Sequence, residues 1–126
     1  MALMATLFIG SYGCGFGVTA KSAEPTANKF YELLKDRDYD KIELIIDDAA
    51  GPKEDWIKVL KEQEVLGNLK SYKKKMGFHT SINNGVTTVE LDYECEYDNA
   101  TTDEKLMLKK VDKGFKLAGY EYKARQ

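Results

Sequence analysis

Residues Val86 to Tyr97, VTTVELDYECEY, alternate without a break. Val89, Leu91, Tyr93, Cys95 and Tyr97 take one side, and Glu90, Asp92, Glu94 and Glu96 the other. In an extended chain successive side chains point to opposite faces, so this is a strand with one wall in a core and one in water. Just upstream, Asn84-Gly85 is the pair that a two-residue type I′ hairpin turn favours. That turn sets Asn83 opposite Val86. Counting back pairs Phe78 with Leu91, Met76 with Tyr93 and Tyr72 with Tyr97 on the inner face. Outside, His79 meets Glu90, Lys75 meets Glu94 and Lys73 meets Glu96. A slip of one residue would turn Lys75 inward. One inner pair fails, because Lys74 would stand beside Cys95. The strand is therefore expected to bulge there, or to lie at a sheet edge where Lys74 reaches water.

The next hairpin is expected to turn within Asn99 to Asp103. With Asn99 opposite Thr102, Glu96 meets Lys105 and Asp92 meets Lys109 outside, while Cys95 meets Leu106 and Tyr93 meets Leu108 inside. A third hairpin turns at Asp112-Lys113-Gly114. In the last strand Phe115 and Leu117 lie on one parity and Tyr120 and Tyr122 on the other, so Gly119 is read as a bulge.

Before residue 68 the period is helical. Pro25 suits a first turn. Ala27, Phe30, Tyr31 and Leu34 then repeat at helical spacing to about Asp36. Asp38 or Asp40 can cap a second, short helix carrying Ile42, Ile45, Ile46 and Ala49, which Gly51-Pro52 stops. Lys53 to Leu66 reads as a third helix, with Trp56, Val59, Leu60 and Gln63 on one face and Gly67 after its end. Trp56 is read as a core anchor, with lining of a ligand cavity as the alternative. The expected fold is α+β, with three N-terminal helices packed on a curved four-stranded antiparallel sheet in the order α-α-α-β-β-β-β.

The start of the chain reads as an address. Residues 1–20 carry no charged side chain, and Met1 to Ile9 form an apolar run. A run of this length suits an export signal and is short of the roughly 20 residues of a spanning helix. Ser11-Tyr12-Gly13-Cys14 resembles a bacterial lipobox, in which the cysteine after the cut carries a diacylglycerol. The expected organisation is an export signal over 1–13, a tether over 14–24 with Cys14 lipidated, and one domain over 25–126; a plain secretory signal and an apolar arm packed on the domain are the alternatives. Each buried acyl CH₂ contributes about 0.8 kcal/mol, so two chains hold a protein firmly at a bilayer.

With 126 residues, the length suits one domain. Nineteen basic against 21 acidic side chains, a net charge of −2, give no basic excess for nucleic acid. One histidine and two cysteines lack zinc spacing, and no cofactor motif is found.

Three segments, LLKDRDYD at 33–40, EVLGNLKSY at 64–72 and FKLAGYEY at 115–122, carry a resemblance. Together with the helices-then-strands order, they are similar to small exported bacterial proteins of the nuclear transport factor 2-like, or cystatin-like, superfamily. The resemblance implies a sheet curled into a cone around the helices and a place in the cell envelope. It leaves the reaction open. The superfamily includes isomerases and dehydratases that work with an inward acid or an acid–histidine pair. Here the acids of Val86 to Tyr97 and the sole histidine, His79, point outward. Glu104 and Glu121 are the acids left to face inward, and both are expected near strand ends in water. The outward row reads as a salt-bridged, solvated face, with a basic partner or a divalent cation as the alternative.

The candidate pocket lining is Trp56, Tyr72, Tyr93, Cys95, Tyr97 and Tyr120, aromatic bodies with polar tips that serve a core or a ligand cavity alike. Cys95 is read as a small apolar filler; a disulfide to Cys14 would require that Cys14 not be lipidated. The sequence therefore favours a non-catalytic, membrane-anchored envelope domain that binds a protein or a small ligand. The alternative is an isomerase- or dehydratase-like enzyme, or a carrier, for a small apolar molecule.

Overall fold

The computed structural model describes residues 20–125. Helix α1 occupies 20–35 of this span, so residues 20–24, expected in the tether, are helical. Ala20, Ala23, Ala27, Phe30, Tyr31 and Leu34 are buried along one stripe, and this burial holds the turns on both sides of Pro25. Arg37, at φ 53, ends the helix, with its N–H on the Leu34 carbonyl at 3.0 Å and that of Asp38 on Leu33 at 2.9 Å. This paired closure is usually built on glycine or asparagine. Asp38 then caps α2, Tyr39–Glu43, accepting from the Lys41 N–H. Helix α3, Lys53–Glu62, tightens into a 3₁₀ turn at Gln63–Leu66.

Five antiparallel strands follow: β1 Leu69–Lys74, β2 His79–Asn83, β3 Val86–Tyr97, β4 Thr101–Val111 and β5 Gly114–Ala124. The order is β1-β3-β4-β5, and β2 pairs with β3 along the edge that β1 also uses. The core lies between the inner face of this sheet and α1, with Leu60 of α3 and Ile42 and Ile46 closing it.

The expected three helices on four strands are corrected on both counts. Only α1 is long. The second helix stops early because its chain leaves to pair with the sheet. Ile46 bridges Leu117, the Asp47 N–H donates to the Leu117 carbonyl, and the Leu117 N–H donates to Ile45, both at 2.8 Å. The strap covers part of β5, a free edge that would otherwise expose unpaired backbone groups.

The sheet has five strands because the expected first strand breaks at residues 75–78. The Asn84-Gly85 turn forms as read, with φ of 53 and 79, Asn83 opposite Val86 and His79 opposite Glu90. Four residues, 75–78, then stand against two, Leu91 and Asp92. Beyond them Lys74 faces Tyr93, Lys73 faces Glu94, Tyr72 faces Cys95 and Ser71 faces Glu96. Tyr72 and Lys73 are thus displaced by two residues from the expected Tyr97 and Glu96, the expected pairs Phe78–Leu91, Met76–Tyr93 and Lys75–Glu94 are lost to the break, and a further one-residue shift before Ser71 sets Leu69 opposite Tyr97. An even displacement keeps every side chain on its face. Gly77, at φ 91, lets the loop turn, and Met76 is left 98% exposed.

The β3–β4 register is displaced by four residues. The Tyr97 N–H donates to the Ala100 carbonyl at 2.7 Å, closing a turn over Asp98-Asn99. The helix-to-strand junction pins this turn: Asp98 Oδ2 accepts from the Asn68 N–H at 2.8 Å, and the Asn99 N–H donates to Leu66 at 2.9 Å. Cys95 therefore faces Thr102 rather than Leu106, Tyr93 faces Glu104 rather than Leu108, Glu96 faces Thr101 rather than Lys105, and Asp92 faces Lys105 rather than Lys109. In the last hairpin the bulge falls one residue before Gly119, the position expected for it. Met107 pairs with Gly119 and Leu108 with Leu117, leaving Ala118 as the extra residue.

Two of the four outer acids, Glu90 and Glu94, are ion-paired, through partners other than those expected. Glu90 meets Lys105 at 3.4 Å, and Arg125 joins Glu94 at 2.6 Å to Asp103 at 2.7 Å, with Lys75 also on Asp103 at 2.7 Å. The hydrogen bonds from Arg125 and Lys75 hold the Asp103 carboxyl well below the usual carboxylate range.

Candidate functional site

The tight turn at Asp98-Asn99 sets Thr102, Glu104, Leu106 and Leu108 on the inner face, opposite Cys95, Tyr93, Leu91 and Val89. Glu104 is therefore a carboxylate in the core, 3% exposed. Four hydroxyls from four elements donate to it. Tyr31 of α1 reaches Oε1 at 3.1 Å and Tyr120 of β5 reaches the same oxygen at 2.8 Å. Tyr97 of β3 reaches Oε2 at 2.8 Å, and Thr102 of its own strand at 2.6 Å. Gln63, from the 3₁₀ turn, donates its amide N–H to the Tyr120 hydroxyl. Glu104 has no ion pair among the described residues. Its charge is met by O–H dipoles alone, in bonds strengthened by the charge of the acceptor.

The surroundings fix the protons on the donors. Burial first, and then the charge of Glu104, push the hydroxyls of Tyr31, Tyr97 and Tyr120 well above the ordinary tyrosine range. The Cys95 thiol is raised in the same way, by burial and then by Glu104. A thiol held protonated is a poor nucleophile, so Cys95 is a small buried filler. Each oxygen of this carboxylate already accepts two bonds, so a ligand could engage Glu104 only by displacing one of the four donors.

Of the six residues read as pocket lining, the structure divides the set. Tyr93, Cys95 and Tyr97 are buried in the core. The Tyr93 hydroxyl has no partner among the described residues. Tyr72 stands half-buried at the edge, stacked on Tyr31 with ring centres 5.0 Å apart, and its hydroxyl donates to Glu32 at 2.7 Å. Burial, and then the Glu32 carboxylate, push that hydroxyl up to about 12.

Trp56 and Tyr120 do share a hollow, a cleft of about 320 Å³ between the start of α3 and the β5 bulge. Val59, Ala118 and Gly119 complete its apolar wall, and Asp55 sits at its side. Trp56 is half-buried: one part packs against the core, as an anchor would, and another lines the cleft. Its indole N–H is spent on the Ala50 carbonyl at 3.0 Å, so it offers only its ring. A Cβ at Gly119 would lie 2.3 Å from Cε of Met107, its partner across the strands. A wider hollow of about 830 Å³ lies against α2 and α3, but Arg37, Asp40, Glu43, Glu54, Lys58 and Lys61 line it. Ligand cavities are mostly apolar with a few placed polar groups, which favours the smaller cleft.

Cys14 and the export segment lie outside the described residues. Among the described residues, no group of three or more His, Cys, Asp or Glu is placed to hold a metal ion, and no helix is long and apolar enough to cross a membrane. Sequence reasoning left Glu104 in water and passed over Tyr31, Thr102 and Gln63. The available signal was parity, because Glu104 shares the even positions of Leu106 and Leu108 in either register. No family model matches the chain, and no curated protein or solved structure is detectably similar to it.

Proposed function

We propose that the chain is a non-catalytic cell-envelope domain, anchored through a lipid on Cys14, that binds a small and mostly apolar ligand in the Trp56–Tyr120 cleft. The cleft carries this reading: its volume of about 320 Å³ falls in the range of small-molecule sites, and its walls are aromatic and aliphatic. Tyr120 is part of the wall, and its hydroxyl is tied to Glu104 and Gln63 behind it. The ligand thus meets a preset surface, which lowers the ordering cost of binding. The non-catalytic part rests on Glu104 being filled by internal donors and on the Cys95 thiol being held protonated. The anchor rests on Gly13-Cys14 after an apolar run.

The test is native mass spectrometry of the full chain taken from an envelope fraction in mild detergent. A small-molecule adduct that denaturation releases, and that Val59→Phe removes, supports binding. An adduct-free chain, or one whose adduct ignores Val59→Phe, refutes it. Incorporation of labelled palmitate that Cys14→Ser abolishes supports the anchor, and its absence from the wild-type chain removes it.

The inward carboxylate favours a second reading, an acid–base enzyme of the isomerase or dehydratase kind with Glu104 as its proton acceptor. That chemistry needs one hydroxyl to release Glu104 when substrate enters. Incubating the released molecule with fresh protein separates the readings, because a binder returns it unchanged and an enzyme does not.

A further inference from the structure

We propose that the β2–β3 hairpin, with the loop before it, is a bilayer-contacting surface that seats the domain against anionic lipid. The proposal deepens the envelope reading and rests on the lipid anchor at Cys14. Among the described residues seven large apolar side chains are exposed, and four fall between residues 76 and 86. They are Met76, Phe78, Ile82 and Val86. Phe78, Thr80 and Ile82 follow at i, i+2 and i+4, so Phe78 and Ile82 share one face of an extended segment. The other three, Leu44, Val59 and Val65, are scattered over α2's end, α3 and the 3₁₀ turn.

The path of the chain says what covers the hairpin. Thr88 pairs with Lys109, so the Asn84-Gly85 turn and the β4–β5 turn lie at one end of the sheet. Helix α1 points its start toward that end: Thr26 Oγ donates to the Phe115 carbonyl, next to the β4–β5 turn, while Tyr31, further on, reaches Glu104. Ala20 stands six residues after Cys14. Six residues span at most about 20 Å, so an acylated Cys14 would hold this end close to the membrane. Charge agrees. Lys110 and Lys113, both exposed, and Lys116 flank the neighbouring turn, with no ion pair among the described residues and Asp112 as the acid between them. An apolar hairpin beside a lysine-bearing turn suits the interface of a membrane with anionic headgroups.

The test places an environment-sensitive nitrobenzoxadiazole label at Ile82→Cys or, as a control, at Val65→Cys of the full chain. Cys95 is buried and stays unlabelled. Each protein is mixed with vesicles of three parts phosphatidylethanolamine to one part phosphatidylglycerol, with Cys14 acylated or replaced by serine. The expected result is a blue-shifted label at 82, quenched by a lipid-soluble spin label, with the label at 65 water-like. Phe78→Ser/Ile82→Ser in the Cys14→Ser chain should weaken vesicle binding about tenfold relative to Leu44→Ser/Val65→Ser. A chain that takes up palmitate yet keeps the label at 82 in water overturns the docking face and leaves the anchor standing. A chain that takes up no palmitate but shows the quenched blue shift loses the anchor and keeps the docking face. A blue shift seen only with envelope protein extract, and beyond the reach of the lipid quencher, would mean a protein partner and overturn the bilayer.

Discussion

Removing one hydroxyl from Glu104 tests what holds the centre of this fold. Tyr97→Phe keeps the ring in place and leaves Oε2 with Thr102 as its sole donor. The carboxylate stays buried and loses part of its solvation, and no water need fill a gap of one oxygen atom. A hydrogen bond to a charged group contributes about 1.5–3 kcal/mol, so Tyr97→Phe should cost about that much. For a domain whose whole stability is about 5–15 kcal/mol the loss is large. Urea unfolding reads it as a lowered midpoint at an unchanged slope. The control is Tyr72→Phe, whose hydroxyl meets the exposed Glu32; it should stay within about 0.5 kcal/mol of the parent. Glu104→Gln supplies the second leg of a double-mutant cycle, in which Tyr97→Phe should cost clearly less because the acceptor is neutral. If Tyr97→Phe matches Tyr72→Phe, or costs the same with and without the carboxylate, the hydroxyls do not solvate a buried charge and the reasoning is wrong.

High pH should unfold the protein from the same centre. Tyr31, Tyr97 and Tyr120 are raised in the folded state and ionise near pH 10 when unfolded, so their stabilisation is whole below about pH 10 and is lost above it. Each such group lowers stability by about 1.4 kcal/mol per pH unit beyond that point, and Tyr97→Phe should remove one such share from the slope of urea stability against pH, to which Tyr93 and Cys95, raised by burial as well, also contribute. Cys95 should resist a thiol reagent in buffer and react at once in denaturant; fast labelling of the native chain would contradict its burial. Gly67→Ala should cost more than about 2 kcal/mol by urea unfolding, since Gly67 has φ +92 and a Cβ would meet Asp98 Cβ at 2.5 Å. Gly51→Ala, at φ +95 with open space around it, carries only the backbone part of that cost.

Local chemistry made the hairpins legible. Asn84-Gly85 gave the first register, the misfit of Lys74 against Cys95 announced the break, and the changed parity around Gly119 announced the bulge. Non-local pinning hid the rest. The break removes two residues from pairing, which period-2 counting cannot size because an even displacement preserves every face. The Asp98-Asn99 turn is chosen by Asn68 and Leu66 across the sheet, and the strand sequence holds no trace of that choice. Glu104 was misread for this reason. A turn placed too far along the chain left it close to a strand end, whereas the tight turn carries it inward opposite Tyr93. Tyr31, Tyr97 and Tyr120 were the counter-signal, because buried phenols need acceptors and Glu104 was the acid of matching parity. Trp56 both packs on the core and lines the cleft, a division the sequence leaves open because helical spacing shows the face but not how far along the sheet that face is covered.

The claim that the Trp56–Tyr120 cleft is a binding site is open to one direct titration. Trp56 is the only tryptophan in the chain, so energy transfer from it to the neutral apolar probe N-phenyl-1-naphthylamine reports on this cleft. The account predicts saturable binding of one probe per chain, with Val59→Phe and Ala118→Phe each weakening it by about tenfold at unchanged urea stability. A titration that never saturates, or one that both variants leave untouched, contradicts it.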